Sequence, residues 1–186
     1  MQSITLEQAV RTAQQLKTGE ALPSVMILNT EYFPRKAVKF TSGLSNKIEN
    51  TELILPKHVK EVGVRNIDKD QLDYPFLPTG IRLVFDTTTA DVTPNVADYK
   101  DNAPVYWANG EITIFQDGVL AELPVSVLAN NFNPLTTTDD FFPLAPFLIR
   151  PNKSFKISTS LAGIAQAGHA YRIEILGIEF VKNSRN

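Results

Sequence analysis

The chain has 186 residues, 43% of them hydrophobic, with 18 basic side chains against 20 acidic ones and no cysteine. That length and apolar content suit one folded domain and lie far from the disordered regime. A net charge of −2 gives no global attraction for nucleic acid or anionic lipid, and the lack of cysteine excludes disulfide staples, thiolate metal sites and a cysteine nucleophile.

The first predicted element is a short helix. Thr5 is placed to cap it, with Gln8 three residues on at capping-box spacing. Leu6, Ala9, Val10, Ala13 and Leu16 fall on one face, and Gly19 closes the run. The expected unit is an N-terminal helical arm over 1–19. It is too short to be stable alone, so Leu6 and Val10 are expected to dock on the protein's own body or on a neighbouring subunit.

From Leu22 onward the chain is a train of short apolar runs closed by Pro, Gly, Asn or Asp. Strands are expected near 24–29, 37–41, 51–55, 61–67, 81–87, 105–108, 111–116, 119–128, 147–150, 154–160 and 171–182. Asn109-Gly110 predicts a type I′ hairpin, which needs positive φ at both central positions, and Asp117-Gly118 repeats the signal, so 105–128 reads as a three-stranded meander. In the last strand Tyr171, Ile173 and Ile175 share one face and Arg172 and Glu174 the other. The apolar set then moves to Leu176, Ile178 and Phe180, and Gly177 at the junction predicts a β-bulge. Ile173, Ile175, Ile178 and Phe180 are expected to be buried, with Glu179 facing solvent. Strands with one apolar face must bury it, which predicts an all-β sandwich over 20–186 as a single domain. The connections 87–104 and 129–146 carry no strand pattern and are expected to be exposed or to contact a partner.

No residue pattern announces a reaction. His58 and His169 lie far apart in sequence and neither sits beside a carboxylate pair, so no metal site is expected. The run from Asn66 to Asp70 opens like a calcium loop, but Gln71 and Leu77 replace the glycine and the bidentate glutamate. A nucleophile elbow and a phosphate-cradling glycine loop are both lacking, and pairing Glu111 with Asp139 or Asp140 as glycosidase carboxylates has no support. Asn152-Lys153-Ser154 has the form of a glycosylation sequon and reads as a hairpin turn. No catalytic residue, cofactor or metal is therefore expected, and the chain is not expected to be an enzyme. Arg35, Lys36 and Lys39 cluster, as do Lys57, His58, Lys60 and Arg65; both groups are expected to be solvated. Two aromatic features remain. Tyr106-Trp107 could offer a stacking surface for a sugar or base, against the plainer reading that they pack in the core and at a sheet rim. Phe141, Phe142 and Phe147 crowd a proline-stiffened stretch, which suits a subunit contact.

Three segments carry a resemblance: TELILP over 51–56, PLAPFLIRPNKSFKI over 143–157 and AYRIEILGI over 170–178. Together with the N-terminal arm they resemble the small single jelly-roll capsid proteins of tailless icosahedral viruses of bacteria and archaea. The resemblance implies a jelly-roll sandwich that works by self-assembly, or by assembly with a sister capsid protein. The location it implies is the virion, assembled in the host cytoplasm, with an inner membrane as a further contact. It implies neither sequence-specific nucleic-acid recognition nor a small-molecule substrate. Phe141, Phe142, Phe147, Leu6 and Val10 are then the expected interface residues. The rival class is a carbohydrate- or ligand-binding β-sandwich, which would use Tyr106 and Trp107.

Overall fold

A computed structural model describes Arg11, 32–129 and 141–182. Apart from Arg11, the expected helical arm with Leu6 and Val10 lies outside these residues, as do the strand at 24–29 and most of the connection 129–146. The described chain is mostly β. Strands β1 (Tyr32–Leu44), β7 (Ala170–Lys182), β2 (Phe76–Asp86) and β5 (Phe142–Pro143) form one antiparallel sheet in that order, and β4 (Val119–Pro124), β3 (Glu111–Phe115) and β6 (Lys156–Ser160) form a second. The facing sides of the two sheets supply one core. Ile81, Leu83, Tyr171, Ile173 and Ile175 from the first sheet meet Ile112, Ile114 and Ile157 from the second. The arrangement is an all-β sandwich, as the alternation requires.

Two segments read as strand are helical turns instead: α1 (Val105–Ala108) and α2 (Val125–Leu128). Each follows a proline, and in each the buried residues do not alternate. Tyr106 and Trp107 are both buried, as are Val125 and Leu128. Adjacent side chains cannot face one core from a strand, whereas a helical turn sends both inward. Asn109, at φ −92°, ends α1 rather than opening a hairpin, and Gly110 lies where a side chain would strike the Ser160 carbonyl. The expected meander is thus a single hairpin, β3–β4, turned at Asp117 with φ 61°. A pair of successive positive φ angles occurs elsewhere, at Asn50 (48°) and Thr51 (62°), where Glu52 N–H donates to the Glu49 carbonyl at 2.8 Å.

The stretches 51–55, 61–67 and 147–150 are not strands but irregular segments touching the sheets through single bridges. Leu53, Ile54, Ile67 and Ile149 nevertheless fill the core. Apolar content marked them as buried; their pairing is confined to isolated bridges. Asn66 shows how one such segment guards a sheet edge. Its backbone N–H donates to the Phe40 carbonyl, its Oδ1 accepts from Phe40 N–H and its Nδ2 donates to the Val38 carbonyl. The exposed rim of β1 is covered there without a continuous partner strand.

The last strand buries Ile173, Ile175, Ile178 and Phe180 as expected. Its register against β1 runs unbroken from Ala170 to Lys182, so β7 carries no bulge. The irregularity lies in β2, between Pro78 and Gly80, where a proline that cannot donate to the ladder is tolerated. The first half of β7 buries its odd residues in the sandwich. The second half buries Ile178 beside its cross-strand neighbour Leu77, on the opposite face. Gly177 has a different task from the one expected of it. A Cβ there would lie 2.4 Å from the Leu77 carbonyl oxygen and 2.6 Å from Cζ of Phe76. Gly177→Ala is therefore expected to destabilise the fold by about 1–3 kcal/mol, the usual cost of overpacking a core; an unchanged urea midpoint would refute this account.

Glu179 is not solvent-facing: it is 2% exposed. Its carboxylate accepts from the Arg35 guanidinium and from Lys39 Nζ at 2.6 Å. The cluster of Arg35 and Lys39 thus serves a buried partner instead of being merely solvated.

The connection 87–104 is exposed over much of its length, in line with the expectation, and it is also pinned at its base. Asp86, fully buried, accepts from the backbone N–H groups of Thr88 (3.2 Å), Thr89 (2.9 Å) and Asp98 (2.9 Å) and from the Thr89 hydroxyl. Burial pushes this carboxyl's pKa up, but the four hydrogen bonds outweigh it and hold the pKa below the usual range. Asp101 Oδ2 accepts from Thr87 N–H, Thr87 Oγ1 and Thr88 Oγ1. So pinned, the loop lays Val92 and Tyr99 against Ala170, Leu44 and Val84 as a second small apolar cluster.

Candidate functional site

At one end of the sandwich the end of β1, the 3₁₀ turn Ser45–Lys47, the irregular segment 48–65 and the loop tip at Thr93-Pro94 enclose a pocket of about 290 Å³. Its position follows from local sequence. The turn at Asn50-Thr51 swings Glu49 and Glu52 to the rim, and the link from Glu61 to Arg65, closed by mutual backbone hydrogen bonds, brings Arg65 back under β1. His58 is fixed by Leu55, whose N–H donates to His58 Nδ1 at 3.2 Å. That bond requires an unprotonated Nδ1, so the ring's remaining N–H sits on Nε2.

The charges around this pocket do not balance one by one. Glu49 is bound by Lys57 at 2.7 Å, and that hydrogen bond holds its carboxyl below the usual range. Glu52 is bound by Lys156 at 2.6 Å. Arg65 and Lys47, both lining residues, have no carboxylate within ion-pair distance among the described residues. The Nε of Arg65 is buried and has no hydrogen-bond partner. Burial and then the nearby Arg65 and Lys57 charges lower the pKa of His58, which keeps it neutral at pH 7. Tyr171 also reaches the pocket. The residue is 4% exposed, its phenol pKa is pushed up by burial, and its hydroxyl has no hydrogen-bond partner among the described residues. A Cβ on Gly43 would lie 2.8 Å from that hydroxyl. Only a glycine lets the phenol tip enter here.

The residues singled out from sequence lie elsewhere. Trp107 is fully buried, edge-on to Phe85 at 5.4 Å and tilted against Tyr171 at 5.3 Å, and its indole N–H donates to Ser45 Oγ at 2.9 Å. Tyr106 is 9% exposed, stacks on His169 and shares a 3.0 Å hydrogen bond with its Nδ1. Neither ring offers a free face, so the stacking surface for a sugar or base is replaced by core packing. Phe142 and Phe147 are half-buried and packed against the core, while Phe141 lies under the Arg82 guanidinium at 4.6 Å. Arg82 is itself bound to Glu174 at 2.6 Å. Among the described residues no group of three or more His, Asp or Glu side chains could hold a metal. Asp70 and Asp68, from the calcium-like run, are engaged by the Ser154 hydroxyl and by Lys60 N–H. Sequence reading placed Arg65 among solvated basic residues and gave Tyr171 only a core role. The one available signal, a basic residue inside an otherwise apolar run (Val62, Val64, Ile67), does not reveal that its charge lacks a partner.

Fold and site together define an all-β sandwich with a pocket of mixed polar and apolar lining at one end and no reactive constellation among the described residues. Compared with known protein families, with characterised proteins and with solved structures, the chain matches none.

Proposed function

We propose that this chain is a virion structural protein, a jelly-roll subunit that works by assembling with copies of itself or with a sister capsid protein. The observation that carries the reading is the order of strand pairing. Residues 51–53 run antiparallel to β6, with Leu53 N–H donating to the Ile157 carbonyl and Thr159 N–H to the Thr51 carbonyl, each at 2.8 Å. If this segment is taken as the second of eight strands, the first pairs with the last (β1 with β7). The second pairs with the seventh (51–53 with β6), the third with the sixth (β2 with β5) and the fourth with the fifth (β3 with β4). A single long hairpin rolled up on itself gives this nested order, which is the logic of the double-sheet jelly roll found in viral shells. The contacts of β7 with β2 and of β6 with β3 then join the nested pairs into two sheets.

Such a subunit acts through contact area, on the order of 1,000 Å² or more for a specific interface. Phe141, half-buried beneath Arg82, is the member of the Phe141, Phe142 and Phe147 group least committed to the core. Sedimentation velocity and negative-stain microscopy on the full chain test the reading. Self-assembly into closed or sheet-like particles is expected, with Phe141→Ser weakening assembly at little cost in melting temperature. Phe142→Ser should lower both, because its ring packs on the core. A chain that stays monomeric at every concentration, alone and with its sister protein, defeats the proposal. The rival reading, a ligand-binding sandwich, is favoured only by the pocket around Arg65.

A further inference from the structure

We propose that the pocket between β1, the Ser45–Lys47 turn and the Thr93-Pro94 loop tip binds a single carboxylate group, held by the Arg65 guanidinium and the Tyr171 hydroxyl. Two independent observations carry this. A buried guanidinium nitrogen is left without a partner, although buried donors are nearly always satisfied and an orphan calls for an explanation. A phenol that is 96% buried presents an unpaired hydroxyl to the same space, over a glycine that leaves it room. Both groups donate, and the neutral His58 adds its Nε2–H as a third donor. An acceptor-only ligand is what such a set lacks.

Charge selects the ligand further. The rim carboxylates Glu49 and Glu52 are each engaged by a lysine, which leaves Arg65 and Lys47 as the uncompensated charges of the lining, so the ligand they call for is an anion. Guanidinium forks match the two oxygens of a carboxylate, so one such group satisfies the arginine in a bidentate manner. The pocket volume of about 290 Å³ takes a small carboxylate together with water. The group can come from a free small acid or from an Asp, Glu or C-terminal carboxylate of another copy of the chain. Either source supplies the same chemistry.

The test is a titration of the full chain with sodium acetate against sodium chloride at equal ionic strength, followed by amide NMR shifts and by melting temperature. Saturable shifts at Gly43, Lys47, His58 and Arg65 are expected, with Kd on the order of 1–10 mM, the range open to so small a ligand. Stabilisation by acetate should exceed that by chloride, since a ligand that binds only the folded state raises its stability. Arg65→Gln should weaken acetate at least tenfold, and Tyr171→Phe several-fold. Because Tyr171 is also a core residue, Lys47→Ala at the exposed rim serves as the second variant, with a weaker loss. Inorganic phosphate should bind more weakly than acetate. Equal response to acetate and chloride, unchanged binding in Arg65→Gln, or preference for phosphate would each overturn the assignment. The source is read separately: self-association that acetate competes away and Arg65→Gln abolishes assigns the carboxylate to another copy. Self-association indifferent to both, with acetate still bound at the pocket, assigns it to a free acid. Since acetate binding is measured whether or not the chain assembles, this result stands apart from the capsid reading.

Discussion

Glu179→Ala is expected to destabilise the folded chain by about 3 kcal/mol, the low end of the cost of removing one partner from a buried ion pair. Glu179 is 2% exposed while its partners differ, with the Lys39 side chain 17% exposed and that of Arg35 63% exposed. Once the carboxylate is gone, Lys39 is left in a confined place beside Ile175, its cross-strand neighbour, while Arg35 can turn to water. The pH dependence has a definite sign. Burial raises the pKa of Glu179, but the hydrogen bonds and charges of Lys39 and Arg35 prevail and lower it below its unfolded value. A carboxyl with a depressed folded pKa contributes stability above its unfolded pKa, and that contribution is lost as pH falls through the folded value. Wild type should therefore lose stability on acidification below about pH 4.5 more steeply than Glu179→Gln. Urea unfolding at pH 7 and across pH 3–5 measures both effects. Equal acid slopes in the two proteins would sink the ion-pair account.

The second large effect is expected at Trp107. Deleting a fully buried Trp to Ala costs about 3–5 kcal/mol, a large share of the roughly 5–15 kcal/mol that holds a domain together. Here the ring also contacts Phe85 and Tyr171, and its N–H satisfies Ser45 Oγ. Ser45 in turn donates its backbone N–H to the His169 carbonyl at 2.8 Å, so Trp107 ties the turn after β1 to the start of β7. Trp107→Ala should be largely unfolded at 37 °C, and Trp107→Phe should keep the fold with a lower urea midpoint and an unpaired Ser45 hydroxyl. The chain has one tryptophan, so its fluorescence reports the core directly. Blue-shifted native emission that reddens with the loss of β-type circular dichroism is expected. An already red emission that a sugar quenches would restore Trp107 as a surface platform and contradict its burial.

How far the fold was legible depends on the element. In β7 the alternation of Tyr171, Ile173 and Ile175 with Arg172 and Glu174 declares a strand with one buried face, because side chains on a strand alternate by geometry alone. β3 and β6 show the same period, with Ile112, Ile114 and Ile157 buried. The sandwich follows from such faces, since each must be covered by another sheet. Where alternation failed, composition misled. Val105 to Ala108 is rich in β-forming residues, yet Tyr106 and Trp107 must both point inward, and only a helical turn allows it. Leu53 and Ile54 are buried in a segment that meets β6 through one bridge only, since burial needs only contact while an extended strand needs a run of partner hydrogen bonds in register.

The site was beyond the reach of sequence for a different reason. Arg65 and Lys57 are the same kind of signal along the chain, two basic residues in one cluster. Lys57 meets Glu49, eight residues away, and becomes a surface pair. Arg65 turns into a pocket that Tyr171, from the far end of the chain, completes. Whether a charge is paired depends on which distant carboxylate arrives within about 4 Å, and no local pattern encodes that distance. The same holds for Glu179, whose place in the strand pattern points to no burial until β1 brings Arg35 and Lys39 across from it. What the sequence determined by itself was the β class and the faces of its clearest strands, since these follow from the period of neighbouring residues. What only the tertiary structure decided was which polar groups are buried and which of them lack a partner, because that is a property of contacts between segments more than a hundred residues apart.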